Sequence, residues 1–235
     1  DNTSPAVNIE ATRVGYGANI AGAAMTKPGT ALLGVAGGAD PLKVVEQNYF
    51  AIGQSNPLAG GSNTITVTIQ SNVNLAQATD SSVVTISGLT NAPDAASLGL
   101  TSVESSGADL FSDGTTQSRG AWSSGTLTLT VHTSLTVSAG VTYTFSFVVT
   151  NPASAQTAPT VNIAASGSGT IASGAMAQPG TAVYGVASGA NALLVVVPTF
   201  TTKAVGQSTP AAGKSNTITV TLASDMDLKA SDSSV

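Results

Sequence analysis

The sequence predicts an all-β chain of layered sheets, set in tandem around an internal repeat of about 153 residues. Three observations carry this. Apolar residues alternate with Thr and Ser along several segments, the two-residue period of a strand with one face buried. Clusters of Gly, Pro, Asn and Asp punctuate those segments, and no amphipathic helical pattern appears between them. Long stretches of the first third return in the last third.

The repeat sets the organisation. Pro5-Ala-Val-Asn-Ile9 returns as Pro159-Thr-Val-Asn-Ile163, and Pro28-Gly29-Thr30-Ala31 as Pro179-Gly180-Thr181-Ala182. Gly34-Val-Ala returns as Gly185-Val-Ala, and Gly53-Gln54-Ser55 as Gly206-Gln207-Ser208. Ser62-Asn-Thr-Ile-Thr-Val-Thr68 is identical to residues 215–221, and Asp80-Ser-Ser-Val83 to residues 232–235. The offset is 154 residues at Asn8, 151 at Pro28 and 153 at Asn63, a drift that small loop insertions explain. Residues 5–83 and 158–235 are thus two copies of one segment, and 84–157 occur once. In the first copy Val83 runs into the strand pattern Val84-Thr-Ile-Ser-Gly-Leu89, where the second copy reaches Val235. The expectation is that further chain, or a neighbouring molecule, supplies the strands that follow.

The strands follow from their periods. Ile65, Val67 and Ile69 alternate with Thr64, Thr66 and Thr68; Leu127, Leu129 and Val131 alternate with Thr126, Thr128 and Thr130. Val141, Tyr143, Phe145, Phe147 and Val149 alternate with Thr142, Thr144 and Ser146. Thr and Val favour extended backbone because β-branched side chains lose rotamer freedom in a helix. The continuous run Ala192 to Val197 suits one buried strand.

Val137-Ser-Ala-Gly140-Val-Thr-Tyr143-Thr-Phe145-Ser-Phe147 resembles the tyrosine-corner stretch of fibronectin type III and related immunoglobulin-like domains, with Ala139 where that motif has proline. The resemblance implies a fold class of tandem immunoglobulin-like β-sandwiches. It also implies that the Tyr143 hydroxyl bonds to backbone in the preceding turn, and that Leu127 and Leu129 lie on the strand before it. More broadly, the chain is similar to the Thr/Ser/Ala/Gly-rich repeats of surface proteins in unicellular algae and of bacterial adhesin arrays. Phrases such as Asn63-Thr-Ile-Thr-Val-Thr68 and Val149-Thr-Asn-Pro152 carry the likeness, which implies an extracellular fibre or adhesion stalk.

On this reading, residues 1–41 are the C-terminal strands of a preceding repeat plus a bridge, and 42–166 a complete sandwich opening at Leu42-Lys-Val-Val45. Residues 167–189 form an inter-domain bridge, and 190–235 the first strands of a following, incomplete repeat. Segments 16–38 and 169–189, rich in Ala and Gly around a Pro-Gly turn, are too apolar for free linkers and are expected to pack between domains.

Composition narrows the function. Only 8% of residues are charged, against roughly 25% in ordinary soluble proteins. Most of the surface therefore falls to Ser, Thr, Asn, Gly and Ala, and covalent glycan or burial against neighbours is expected to replace mixed charge as the source of solubility. A net charge of −5 without a basic patch disfavours nucleic acid as a partner. Cysteine is absent, so disulfides and thiolate metal sites are unavailable. No run approaches the roughly 20 apolar residues of a membrane span.

Candidate chemistry is sparse. His132 is the sole histidine and has no second soft ligand to share a metal; no Gly-x-Ser-x-Gly elbow stands between a strand and a helix. Asp225 with Asp227, and Asp109 with Asp113 near Gly114, raise the question of calcium. However, the first copy has Asn72 and Asn74 where the second has Asp225 and Asp227, and hard cations need several oxygen ligands. Trp122 is read as a core aromatic rather than a sugar platform. Asn2-Thr3-Ser4 is the single N-glycosylation sequon, with Gln156 at its partner position in the second copy. Outward Ser and Thr, and the loops at Ser4-Pro5, Ala158-Pro159 and Thr209-Pro210, offer places for O-linked sugar.

The expectation is therefore a structural, glycosylated segment of an extracellular filament or cell-surface stalk, glycosylated at Asn2, with no catalytic residues, no cofactor and no metal. Its partners would be copies of itself or adjacent repeats, joined by strand complementation at the chain ends, together with covalent glycans. The alternative is an adhesin module recognising glycan or a surface protein. An enzyme is the reading with least support.

Overall fold

A computed structural model describes residues 2–12, 17, 19–45, 48–77, 82–92, 96–167 and 169–228, and every named element in them is a strand. The first copy carries β1 (Asn8–Ala11), β2 (Ile20–Ala24), β3 (Tyr49–Gln54), β4 (Ser62–Gln70), β5 (Leu75–Ala76) and β6 (Val83–Ser87). The middle carries β7 (Ser97–Gly99), β8 (Thr101–Glu104), β9 (Phe111–Ser112), β10 (Arg119–Ser123), β11 (Thr126–Val131), β12 (Thr136–Val137) and β13 (Thr142–Thr150). The second copy adds β14 (Asn162–Ser166), β15 (Ile171–Ala175), β16 (Phe200–Gln207) and β17 (Ile218–Ser224). The expected stop at Val235 and the shared Asp-Ser-Ser motif at 232–235 lie outside the described residues, as do residues 80 and 81 of its first copy.

All strand pairs are antiparallel. One sheet has the order β3-β4-β13-β8; a second runs β15-β14-β6-β11-β10-β7, with β9 also paired to β11; β5 pairs β12. The threonine alternation works as predicted. On β4, β6 and β11 every second residue is buried, and the threonines between them are half-buried. The buried positions meet in one apolar cluster: Ile52, Ile65, Val67, Ile69, Phe145 and Phe147 from the first sheet, with Val84, Ile86, Leu127, Leu129 and Ile163 from the second. Phe111 meets Phe145 edge-on at 5.6 Å, and Trp122 meets Phe147 edge-on at 6.1 Å. Each such side chain contributes on the order of 1.5–3 kcal/mol by leaving water.

The Tyr143 hydroxyl accepts a hydrogen bond from the Ser138 backbone N–H at 3.3 Å, as the tyrosine-corner resemblance implies. Leu127 and Leu129 lie on β11, with the two-residue β12 between that strand and β13. The strand expected at 192–197 is absent, and the expected opening of the sandwich is a turn. Residues 42–45 form no strand: Leu42 has φ +58°, so the chain turns there. Residues 192–197 hold only single bridges, Gln156 to Val195 and Leu58 to Val196. Leu193 repeats the left-handed turn with φ +58°; burial of this run comes from packing as a turn, which apolar content alone cannot distinguish from a strand.

The hairpins β1–β2 and β16–β17 are separate two-stranded sheets. The total accessible surface is 12896 Å², against about 9,600 Å² for a compact protein of this mass. The two end hairpins expose apolar residues, among them Ile9, Ile20, Val205, Ile218, Val220 and Leu222.

Candidate functional site

The two sequence copies adopt the same local conformation down to individual dihedrals. Leu33 and Tyr184 have φ +50° and +52°, Gly34 and Gly185 +79° and +75°, and Leu42 and Leu193 both +58°. Leu32 bridges Val35 as Val183 bridges Val186. The Gly29 N–H donates to Asp40 Oδ1 as the Gly180 N–H donates to Asn191 Oδ1, at 2.7 and 2.8 Å. Residues 29–45 and 180–196 are therefore one folded connector used twice, and three sets of polar groups hold it.

The first set lies just upstream in sequence. Gln156 exchanges backbone hydrogen bonds with Val195, and its Nε2 donates to Leu193 O at 2.9 Å. Asn2, at the equivalent position, does the same for the first connector: its N–H donates to Val44 O, its Nδ2 to Leu42 O at 3.0 Å, and its Oδ1 accepts from Val44 N–H at 2.6 Å. The exposed sequon asparagine thus has both side-chain amide atoms engaged by the connector.

The second set lies downstream. The Asn74 N–H donates to Leu33 O, and the Asp227 N–H to Tyr184 O, both at 2.8 Å. A Cβ on Gly34 would stand 2.1 Å from Asn74 Oδ1, and one on Gly185 2.5 Å from Asp227 Oδ1. Glycine here answers both a left-handed backbone and a close approach.

The third set is a buried amide clamp, which among the described residues is closed on a connector once. The Gln54 Nε2 donates to Gly189 O at 2.9 Å and Leu194 O at 2.8 Å. Its Oε1 accepts from Leu193 N–H at 2.7 Å and from Asn63 Nδ2 at 2.8 Å. Asn63 also donates to Asn151 Oδ1, and the Asn151 Nδ2 reaches Asn56 O and Leu58 O. The backbone of β3 extends the seam, its Ile52 N–H donating to Ala177 O and its Gln54 N–H to Ala190 O, both at 2.9 Å. Together these make a low-dielectric, polar-satisfied joint. The sequence repeat marks Gln54 and Asn63 but gives no sign that an amide 135 residues from Gly189 closes on it.

In the second copy the clamp is built, but among the described residues it holds no connector. Asn216 Nδ2 donates to Gln207 Oε1 at 3.0 Å, matching Asn63 and Gln54, and Thr217 N–H donates to Ser208 Oγ as Thr64 N–H does to Ser55 Oγ. Val205, Ile218, Val220 and Leu222 are 75%, 57%, 60% and 59% exposed, where Ile52, Ile65, Val67 and Ile69 are 1%, 0%, 0% and 1%.

The remaining candidates sit in structural roles. Trp122 is buried against Phe147, so no ring face is presented to a sugar. His132 follows β11, its backbone N–H donating to Leu110 O. Asp113 caps its own turn. Ser97 Oγ, Thr116 N–H and the side chain and N–H of Thr115 all donate to its carboxylate, in that order of influence, and hold it well below the usual carboxylate range. Asp109 Oδ1 accepts from Ser118 Oγ. Asp225 is lowered by the backbone and then the side chain of Thr199. Among the described residues no group of three or more His, Cys, Asp or Glu gathers as a metal site, and no helix is long and apolar enough to cross a membrane.

No family model matches the chain, and no curated protein matches it. Among solved structures it is similar to the crystal structure of a DUF4466 family protein from Parabacteroides merdae ATCC 43184, at 10% identity and a TM-score of 0.32. The match covers 73% of this chain and 55% of that one, so the chain spans about half the length of the protein it matches. A likeness this distant carries no argument about function.

Proposed function

We propose that the protein is a structural segment of an extracellular filament or cell-surface stalk, built from immunoglobulin-like β-sandwiches in tandem. The observation that carries this reading is the contrast between β3–β4 and β16–β17. Matching segments that share the heptapeptide Ser62–Thr68 form the heart of a core in one place and present an exposed apolar face in the other. A face of this kind is unfavourable in water and calls for a neighbour.

In this reading residues 42–166 are a complete sandwich, with the connectors 29–45 and 180–196 as rigid joints. The joints are tied by hydrogen bonds on more than one side, which suits a stiff array better than a flexible string. Partners are copies of the chain or adjacent repeats, added along free strand edges. Glycan on outward Ser and Thr, and on Asn2, supplies the solubility that 8% charge does not. No catalytic role is assigned to any residue.

Electron microscopy of native material, with intact mass on the same sample, tests the proposal. Regular filaments with mass beyond the polypeptide support it. Monodisperse particles at 22.9 kDa would refute it.

A further inference from the structure

The geometry points to head-to-tail self-association, in which the connector 29–45 of one copy docks on the empty Gln207 clamp of a second copy. This rests on the filament reading and names its joint. Both halves of the joint are present among the described residues, and an assembled example of the same joint lies between them.

The donor half is the first connector. It is held by Asn2 upstream and by Asn74 downstream, as the second connector is held by Gln156 and Asp227. Among the described residues the first connector has no counterpart of the Gln54 clamp. Gly38 O, Ala39 O, Lys43 O and Leu42 N–H take no hydrogen bond from the described residues, whereas Gly189 O, Ala190 O, Leu194 O and Leu193 N–H are all engaged by Gln54. Leu42 and Val44 are 71% and 62% exposed, against 1% for each of Leu193 and Val195. The acceptor half is Gln207, oriented by Asn216 as Gln54 is by Asn63.

Transferring the assembled joint residue by residue gives the contact. Gln207 Nε2 donates to Gly38 O and Lys43 O of the second copy, and Leu42 N–H donates to Gln207 Oε1. The Gln207 N–H donates to Ala39 O along the free edge of β16. The interface is heterologous, so it leaves one donor and one acceptor open at every stage and propagates rather than closing into a two-fold dimer. The matching left-handed turns at Leu42 and Leu193 mean that the donor is already shaped for the site.

Sedimentation velocity across a concentration series of the full chain tests this, with two variants. Leu42→Asp spoils the donor; aspartate tolerates the left-handed backbone, and the site is exposed, so folding is retained. Gln207→Ala spoils the acceptor on an exposed strand. Retained Trp122 fluorescence confirms an intact core in both. Wild type is expected to form concentration-dependent oligomers, and each variant alone to associate at least tenfold more weakly. A 1:1 mixture of the variants should form dimers and stop there, because one intact donor and one intact acceptor remain.

Wild type that stays monomeric throughout would overturn the inference, as would oligomers insensitive to Leu42→Asp. Loss of association in Gln207→Ala alone would mean that another segment occupies the clamp, and would also overturn it. Filaments seen in native material alongside any of these results would leave the filament reading standing without this joint. Head-to-tail oligomers without native filaments would do the reverse.

Discussion

Replacing Gln54 with alanine while making the identical change at Gln207 tests the clamp with an internal control. Gln54 is buried and makes four side-chain hydrogen bonds of 2.7–2.9 Å. Its removal strands Leu193 N–H and two connector carbonyls in a dry site, while Asn63 keeps its bond to Asn151. At about 1 kcal/mol net for each of the four bonds, with about 1 kcal/mol more for a stranded donor, the loss should be about 5 kcal/mol. Gln207 is exposed and among the described residues its side chain holds only Asn216, so Gln207→Ala should cost less than about 0.5 kcal/mol. Urea unfolding followed by Trp122 fluorescence, at concentrations where the chain is monomeric, measures both. Hydrogen exchange at Ala177 and Leu193 should report early release of the connector in Gln54→Ala. Equal effects of the two substitutions, or a Gln54→Ala change below about 1 kcal/mol, would refute the assignment of a buried clamp.

Other perturbations follow from the same geometry. Folding lowers the Asp113 pKa, so its carboxylate favours the folded state above about pH 4, the unfolded value. That contribution drains away as pH falls below 4 toward the folded value; an acid titration of stability should show it, and Asp113→Asn should flatten the curve over that range. Tyr143→Phe removes a single long hydrogen bond to Ser138 N–H and should cost about 0.5–1 kcal/mol in the same urea assay, with no change in the spectrum of Trp122. Gly185→Ala meets a left-handed backbone, worth about 1–2 kcal/mol, and a contact with Asp227 Oδ1. It should loosen the bond from Asp227 N–H to Tyr184 O, seen as faster exchange of the Asp227 amide, and should leave the Phe145–Phe147 core unchanged.

What the sequence determined by itself was local. Two-residue alternation at 64–69 and 126–131 fixed two strands and their buried faces, because side-chain direction in extended backbone follows from parity alone; at 142–149 it fixed the strand but not its burial, since Thr144 and Ser146 are covered as well as Tyr143, Phe145 and Phe147. The Tyr143 bond to the Ser138 N–H was expected from the resemblance of residues 137–147 to a tyrosine-corner stretch, and it forms within that stretch. The repeat revealed which segments are copies, and the matching sequence did yield matching turns with closely similar dihedrals.

The tertiary structure decided everything that depends on which neighbours arrive. Ile65 and Ile218 sit in the same heptapeptide, yet one is fully buried and the other exposed, since burial depends on the surrounding sheet and not on the residue. The run 192–197 reads as a strand but folds as a turn, because a left-handed Leu193 and the Gln54 clamp outweigh its extended propensity. Asn2 reads as a glycan acceptor, and only the fold shows that it also does the work of Gln156. Long-range polar pairing has no period and no local signature, which is why the joint between connectors emerged only once the chain was folded.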